Sequence, residues 1–211
     1  DDQSEIYYIT GDSHDALAKS PHLEAARAKG YAVLLMTDAV DEWVVQDLQE
    51  FDGKKLRSVA QAGLDLDAPP QAEGEDGEDK NKEHDTAGIE ALLERAKEVL
   101  GERIKEVRAS RRLTTSASCL VDDEGAMGRN MERILQMSGR DIASRPRILE
   151  LNPGHRFVQA ANALVKEGKE PEQVAASVEL LLDQAHLAEG QVPDPAGMVQ
   201  RIQAMLDRAL P

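Results

Sequence analysis

Apolar residues fall along this chain in short unbroken blocks and in stripes at helical spacing. Ile6-Tyr7-Tyr8-Ile9-Thr10 is a β-prone block stopped by Gly11-Asp12. Ser20-Pro21 then supplies an N-cap with proline at the first helical position. Leu23 and Ala26 carry that helix to Gly30, a C-cap. Ala32-Val33-Leu34-Leu35-Met36 is uninterrupted, the pattern of a strand covered on both faces. Asp38 and Asp41 open another helix, with Val40, Val44, Leu48 and Phe51 on one stripe, and Lys55-Leu56-Arg57-Ser58-Val59 supplies a third strand. Strand, helix, strand, helix, strand predicts a small parallel layer.

A different regime follows. Ala68 to Thr86 holds Pro69, Pro70, Gly74, Gly77 and seven acidic residues against two lysines. Such a segment buries too little apolar surface to offset its ordering entropy and predicts a mobile tether. Its acids miss the spacing of a calcium loop, since Ala72 stands where the first ligand belongs relative to Gly77. From Ile89 the stripes are helical: Ile89, Leu92, Leu93, Ala96, Val99 and Leu100, ended by Gly101. Ile104–Arg108, Cys119-Leu120-Val121 and Arg147-Ile148-Leu149 are strand candidates, the first with poor alternation. Met127, Met131, Ile134 and Leu135 fall at i, i+4, i+7 and i+8 of one helix face. Asn152-Pro153, Pro171 and Asp194-Pro195 start three more helices.

The predicted fold class is mixed α+β. Residues 1–67 form a small three-layer α/β/α subdomain with a short parallel sheet, and 68–86 form an acidic linker. Residues 87–211 form a helix and small-sheet domain ending in a helical hairpin. That hairpin carries Val178, Leu181, Leu182 and Ala185 on its first helix, and Met198, Val199, Ile202, Met205 and Leu206 on its second. Two helices have only each other and the sheet to cover them. A second copy would complete a four-helix bundle, making these residues the candidate dimer interface. The alternative is that the stripes pack within one chain.

Composition narrows the function. Of 211 residues, 41% are hydrophobic but only 3% aromatic, so aliphatic side chains and Met must build the core. A net charge of −15 argues against nucleic-acid binding, which needs clustered cations, and leaves basic partners open. Cys119 is the single cysteine, which excludes an internal disulfide and reads as a small core residue. No apolar run approaches the roughly 20 residues a membrane span needs. The start, Asp1-Asp2-Gln3-Ser4, lacks an initiator Met, and we expect a piece of a longer protein.

Enzymatic chemistry has little to stand on. The five histidines are scattered without metal-ligand spacing, and no phosphate loop or nucleophile elbow is present. A small α/β enzyme with a site at Asp12, Ser13 and Asp38 is the alternative reading. No catalytic, cofactor-binding or metal-ligating residue is assigned. The Met127, Met131, Ile134, Leu135 stripe could serve as a partner-contacting surface, because Met side chains repack around varied partners. An ordinary core face is the alternative. Asp41, Glu42 and Trp43 are a second candidate contact, an apolar anchor beside an acid pair, with Trp43 as a plug of the α/β core the alternative.

Three stretches carry a family resemblance: Arg111-Arg112-Leu113-Thr114-Thr115-Ser116, Asn130-Met131-Glu132-Arg133-Ile134 and Leu149-Glu150-Leu151-Asn152-Pro153. They resemble the C-terminal domain of the heat-shock protein 90 chaperone family, in its bacterial form. Upstream, Ser20-Pro21-His22-Leu23-Glu24, Asp41-Glu42-Trp43 and Glu50-Phe51-Asp52-Gly53-Lys54-Lys55-Leu56 resemble the last subdomain of that family's middle domain, in the family's order. The resemblance implies a homodimer, unfolded or partly folded client proteins as partners, client contact through the Met127, Met131, Ile134, Leu135 helix face, a cytoplasmic location, and no nucleic acid or membrane. It implies no cofactor in this stretch, with ATP and Mg bound further upstream in the intact protein. Dimerisation without client contact is a third reading. The sequence given closes on Arg208-Ala209-Leu210-Pro211 and not on the acidic pentapeptide by which eukaryotic members recruit helical-repeat co-chaperones, so a bacterial form without that class of partner is expected.

Overall fold

A type I′ turn decides the edge of the first sheet. In the computed structural model, which describes residues 3–64, 66, 88–140, 143 and 145–209, Asp52 and Gly53 both have positive φ. An Asp-Gly pair in that conformation matches the twist of two antiparallel strands. Strands β3 (Glu50–Phe51) and β4 (Lys54–Ser58) accordingly pair with Phe51 opposite Lys54. Phe51, expected at the end of a helical stripe, is therefore a strand residue. The helix before it, α3 (Asp41–Asp47), closes at Leu48, whose N–H donates to the Val44 carbonyl at 2.7 Å.

Strands β1 (Ile6–Thr10) and β2 (Val33–Met36) complete a sheet of order β2-β1-β4-β3. β1 runs parallel to both β2 and β4, so the sheet is mixed where a purely parallel one was expected. β2 lies at the edge, and its Leu34 faces solvent; the unbroken apolar run is not covered on both sides. Helix α1 (His14–Leu17) is one short turn, and Ser20 Oγ accepts from His22 N to start a 3-10 turn leading into α2 (Glu24–Ala28). Tyr7, Ile9, Leu17, Leu23 and Val59 form the core here, with Tyr7 stacked on Tyr31 at 5.7 Å.

Two compact units emerge, and they differ from a contiguous division. Val121–Arg145 belongs with the residues before 86. Asp122 N donates to the Ala60 carbonyl and Ala62 N to the Asp122 carbonyl, a short parallel bridge that brings in α5 (Arg129–Met137). The expected linker, 68–86, lies outside the described residues.

The second unit holds α4 (Glu90–Leu100), β5 (Ile104–Ala109), β6 (Ser118–Val121), β7 (Arg147–Leu151), α6 (Arg156–Lys166), α7 (Pro171–Ala188) and α8 (Pro195–Ala209). Its sheet has the order β5-β7-β6, with β5 and β7 parallel. A register shift between Ile104 and Glu106 puts a bulge in β5, which explains the poor alternation in its sequence. α6 starts later than Asn152-Pro153 suggested. Asn152 Oδ1 accepts from Gly154 N instead, and His155 Nδ1 caps the helix through Phe157 N. Leu92, Leu100, Ile104, Leu149, Leu151, Val158, Val178 and Leu181 fill the core.

A buried carboxylate ties this sheet to the loop after it. Glu150 of β7 accepts from Arg108 Nη2 at 2.7 Å, Arg112 Nε at 2.9 Å and Ser110 Oγ at 2.8 Å. Ser110 Oγ in turn accepts from the N–H groups of Arg112 and Leu113. Burial alone pushes the Glu150 carboxyl up, but the Arg112 and Arg108 charges and their hydrogen bonds hold it below the usual range. The folded value lies under the unfolded one, so this stabilisation is complete above about pH 4.3 and is lost as pH falls through the lowered folded value. Replacing Glu150 with Gln leaves buried guanidinium groups without a counter-charge. Denaturant titration at neutral pH should show a loss of about 3–5 kcal/mol and, on acidification, a shallower decline than in the parent.

Candidate functional site

Within the first unit, α3 turns its apolar stripe outward. Val40, Val44 and Leu48 are exposed, and Trp43 beside them keeps 47% of its surface. The buried side of the helix is marked by Glu42, which lies across the helical wheel from Val40. Glu42 Oε1 accepts from Asn130 Nδ2 of α5 at 2.8 Å. Burial raises the Tyr8 hydroxyl above its ordinary value, and the Glu42 carboxylate adds to this, placing the acid's charge close to β1. A short helix fixed through a polar inward group is free to present apolar residues to water.

α5 is held to the same unit by further polar contacts. Arg133 forms an ion pair with Asp12 and donates to Asn130 Oδ1 at 2.8 Å. Arg129 N donates to Asp122 Oδ2, and its guanidinium pairs with Glu132 at 3.0 Å. Met131 (2% exposed) and Leu135 are buried, Ile134 is half-buried, and Met137 is open. Met127 does not share their helix. Gly128 caps α5 in extended conformation, so Met127 precedes the first turn and the i, i+4 relation to Met131 fails. It is exposed there.

In the second unit, α7 and α8 divide their apolar residues unequally. Val178, Leu181, Leu182 (6% exposed) and Ala185 of α7 belong to the unit's own core. Asp194 Oδ1 caps α8 through Gly197 N, and Arg201 Nε donates to Asp183 Oδ2 of α7 at 2.7 Å. Met198 is buried and Met205 half-buried. Val199 (65% exposed), Ile202 (36%) and Leu206 point to solvent at i, i+3 and i+7, and Leu187 near the end of α7 is open as well.

The chemistry proposed for a small enzyme finds no assembly. Asp12 is taken by Arg133, Ser13 makes no side-chain cap bond, and Asp38 N–H donates to Asp41 Oδ2. Among the described residues no group of three His, Cys, Asp or Glu could hold a metal ion. Cys119 is fully buried, and burial, then the Glu150 carboxylate, pushes its thiol well above the ordinary value. No described helix is long and apolar enough to cross a membrane.

The sequence model for Hsp90 proteins matches residues 1–211. The chain belongs to the Hsp90 family. It is 48% identical over 195 residues to the chaperone protein HtpG of Geobacter sulfurreducens, covering 92% of this chain and 29% of that protein. To HtpG of Burkholderia cenocepacia it is 44% identical over 208 residues, and to that of Aromatoleum aromaticum 46% over 209 residues. Each of these covers 97% of the chain and 31% or 30% of the relative. The chain thus spans about three tenths of the length of the relatives it matches.

Glu42 and the α5 residues, named separately from sequence, therefore meet through Asn130, while Trp43 and Met127 are the members left open. Sequence reading missed Met137 and Leu187, whose spacing gives no sign of exposure, and placed Val40, Val44 and Leu48 on one stripe without saying which way it faces. Asp47, sitting within that stripe, is the signal that could have decided it. The burial difference is directly measurable. Met131→Ala should cost about 2–5 kcal/mol of unfolding free energy, and Met127→Ala no more than about 0.5 kcal/mol, by chemical denaturation.

Proposed function

We propose that this chain is the dimerising and client-holding portion of an Hsp90-type chaperone, acting by binding and without turnover of its own. The observation that supports it best is the distribution of large exposed apolar side chains. They gather on α8 (Val199, Ile202, Leu206) and on α3 (Val40, Trp43, Val44). A protein that needed neither partner would have little reason to keep such faces in water.

α8 is the self-association face. α7 gives its stripe to the unit's own core, so a second copy would meet mainly Val199, Ile202, Leu206 and Leu187, with Met205 at the margin. At roughly 1.5–3 kcal/mol for each fully buried side chain, doubled by two-fold symmetry, this suffices for a dimer built as a four-helix bundle. α3 is the client face, its Trp43 an anchor for non-native protein. Met127 extends the candidate client-contacting set, whereas Met131 and Leu135 would need α5 to move before they could contribute. On this reading ATP and Mg belong to the parts of the chaperone outside the present chain, and the location is the cytoplasm.

Two measurements test the assignment. Val199→Asp combined with Ile202→Asp should give a folded monomer at concentrations where the parent sediments as a dimer; an unaltered dimer would reject this face. Leu182→Asp, by contrast, should unfold the second unit. Trp43→Ala should weaken capture of a permanently unfolded protein about tenfold, the loss expected of an anchor residue, with sedimentation unchanged. Equal capture by the parent and the variant removes α3 from the function and leaves an oligomerisation module.

A further inference from the structure

We infer that the outward face of α3 selects apolar segments flanked by lysine or arginine. This rests on the client-binding reading and specifies its partner. On the helical wheel Asp47 lies between Trp43 and Val40, inside the apolar face. Asp38 precedes the helix, and Glu50 and Asp52 follow it on either side of the exposed Phe51. All four carboxylates are exposed, and none has an ion pair among the described residues. Of the two lysines in the hairpin, Lys54 donates to the Gln3 carbonyl at 2.9 Å and Lys55 stands opposite Glu50 across the strand pair, so neither is opposite Asp47.

The physical consequence concerns what a bound segment does to Asp47. Any apolar side chain that covers Trp43 and Val40 removes water from the carboxylate between them. An uncharged partner leaves that carboxylate desolvated and unpaired, which is unfavourable. An acidic partner adds like-charge repulsion from the whole rim. A lysine or arginine next to the apolar residues supplies the missing counter-charge and can also lie over the Trp43 ring. The chain's net charge of −15 draws cations from a distance, but that attraction is shared by every face. The selectivity argued here is local, and falls off within about 10 Å at moderate salt.

The test uses three fluorescent peptides with one apolar core, flanked by lysines, serines or glutamates, titrated with the full 211-residue chain and followed by anisotropy. The lysine-flanked peptide should bind about tenfold tighter than the glutamate-flanked one, with the gap closing as salt rises. Asp47→Lys with Glu50→Lys should reverse the order, while Glu94→Lys, an exposed acid on α4, should leave it in place. Circular dichroism verifies that each variant is folded. Equal affinities for the three peptides, all lost in Trp43→Ala, overturn the charge selection and keep the client face. A shift with Glu94→Lys as large as with the α3 pair overturns the local origin. Absence of binding by every peptide overturns both the selection and the client reading beneath it.

Discussion

Where each amphipathic helix directs its apolar face governs what this chain can do. α7 directs Val178, Leu181 and Ala185 into a core shared with α4 and the β5-β7-β6 sheet, and that closes the second unit. α8 follows with a stripe of its own, of which Met198 is buried and Met205 half-buried while the rest finds no cover in the unit. It is held by Arg201 to Asp183 and by the Asp194 cap, polar contacts that leave Val199, Ile202 and Leu206 in water. The first unit repeats the pattern on a smaller scale. Glu42 fixes the inward side of α3, so the apolar side of that helix is free.

Buried acids set these arrangements. Glu42 reaches Asn130 of α5, and Glu150 gathers Arg108, Arg112 and Ser110 around the end of β5. Glu150 is tolerated in the interior because donors of defined geometry surround it, and Glu42 has the Asn130 amide as its partner. A carboxylate with such partners specifies direction as well as proximity, which apolar contacts do poorly. In a chain with few aromatic side chains, these polar clusters fix the loop from Ser110 to Leu113 and the seating of α5.

Much of the architecture was legible beforehand. Proline and glycine punctuation located α4, α7 and α8, since Pro171, Pro195 and Gly101 act through local backbone geometry. The ordered motifs from Ser20-Pro21 to Asn152-Pro153 carried the family, and the match over residues 1–211 bears that out. Less legible was the end of α3, where the helical stripe continued numerically into Phe51 while the Asp52-Gly53 turn overruled it. The alternation of β5 was hidden by a bulge that adds one residue to one strand. Met127 fits a helical count only until Gly128 breaks it.

The sequence by itself determined the kinds of element, their order, the family and the presence of apolar stripes, because these follow from local spacing and side-chain chemistry. Tertiary structure alone decided which stripes are covered. Val178 and Val199 are indistinguishable by pattern, yet the first is buried and the second is open. Burial depends on how much apolar surface the rest of the fold brings to a given face. That quantity is set by the packing of distant segments, which no local period encodes.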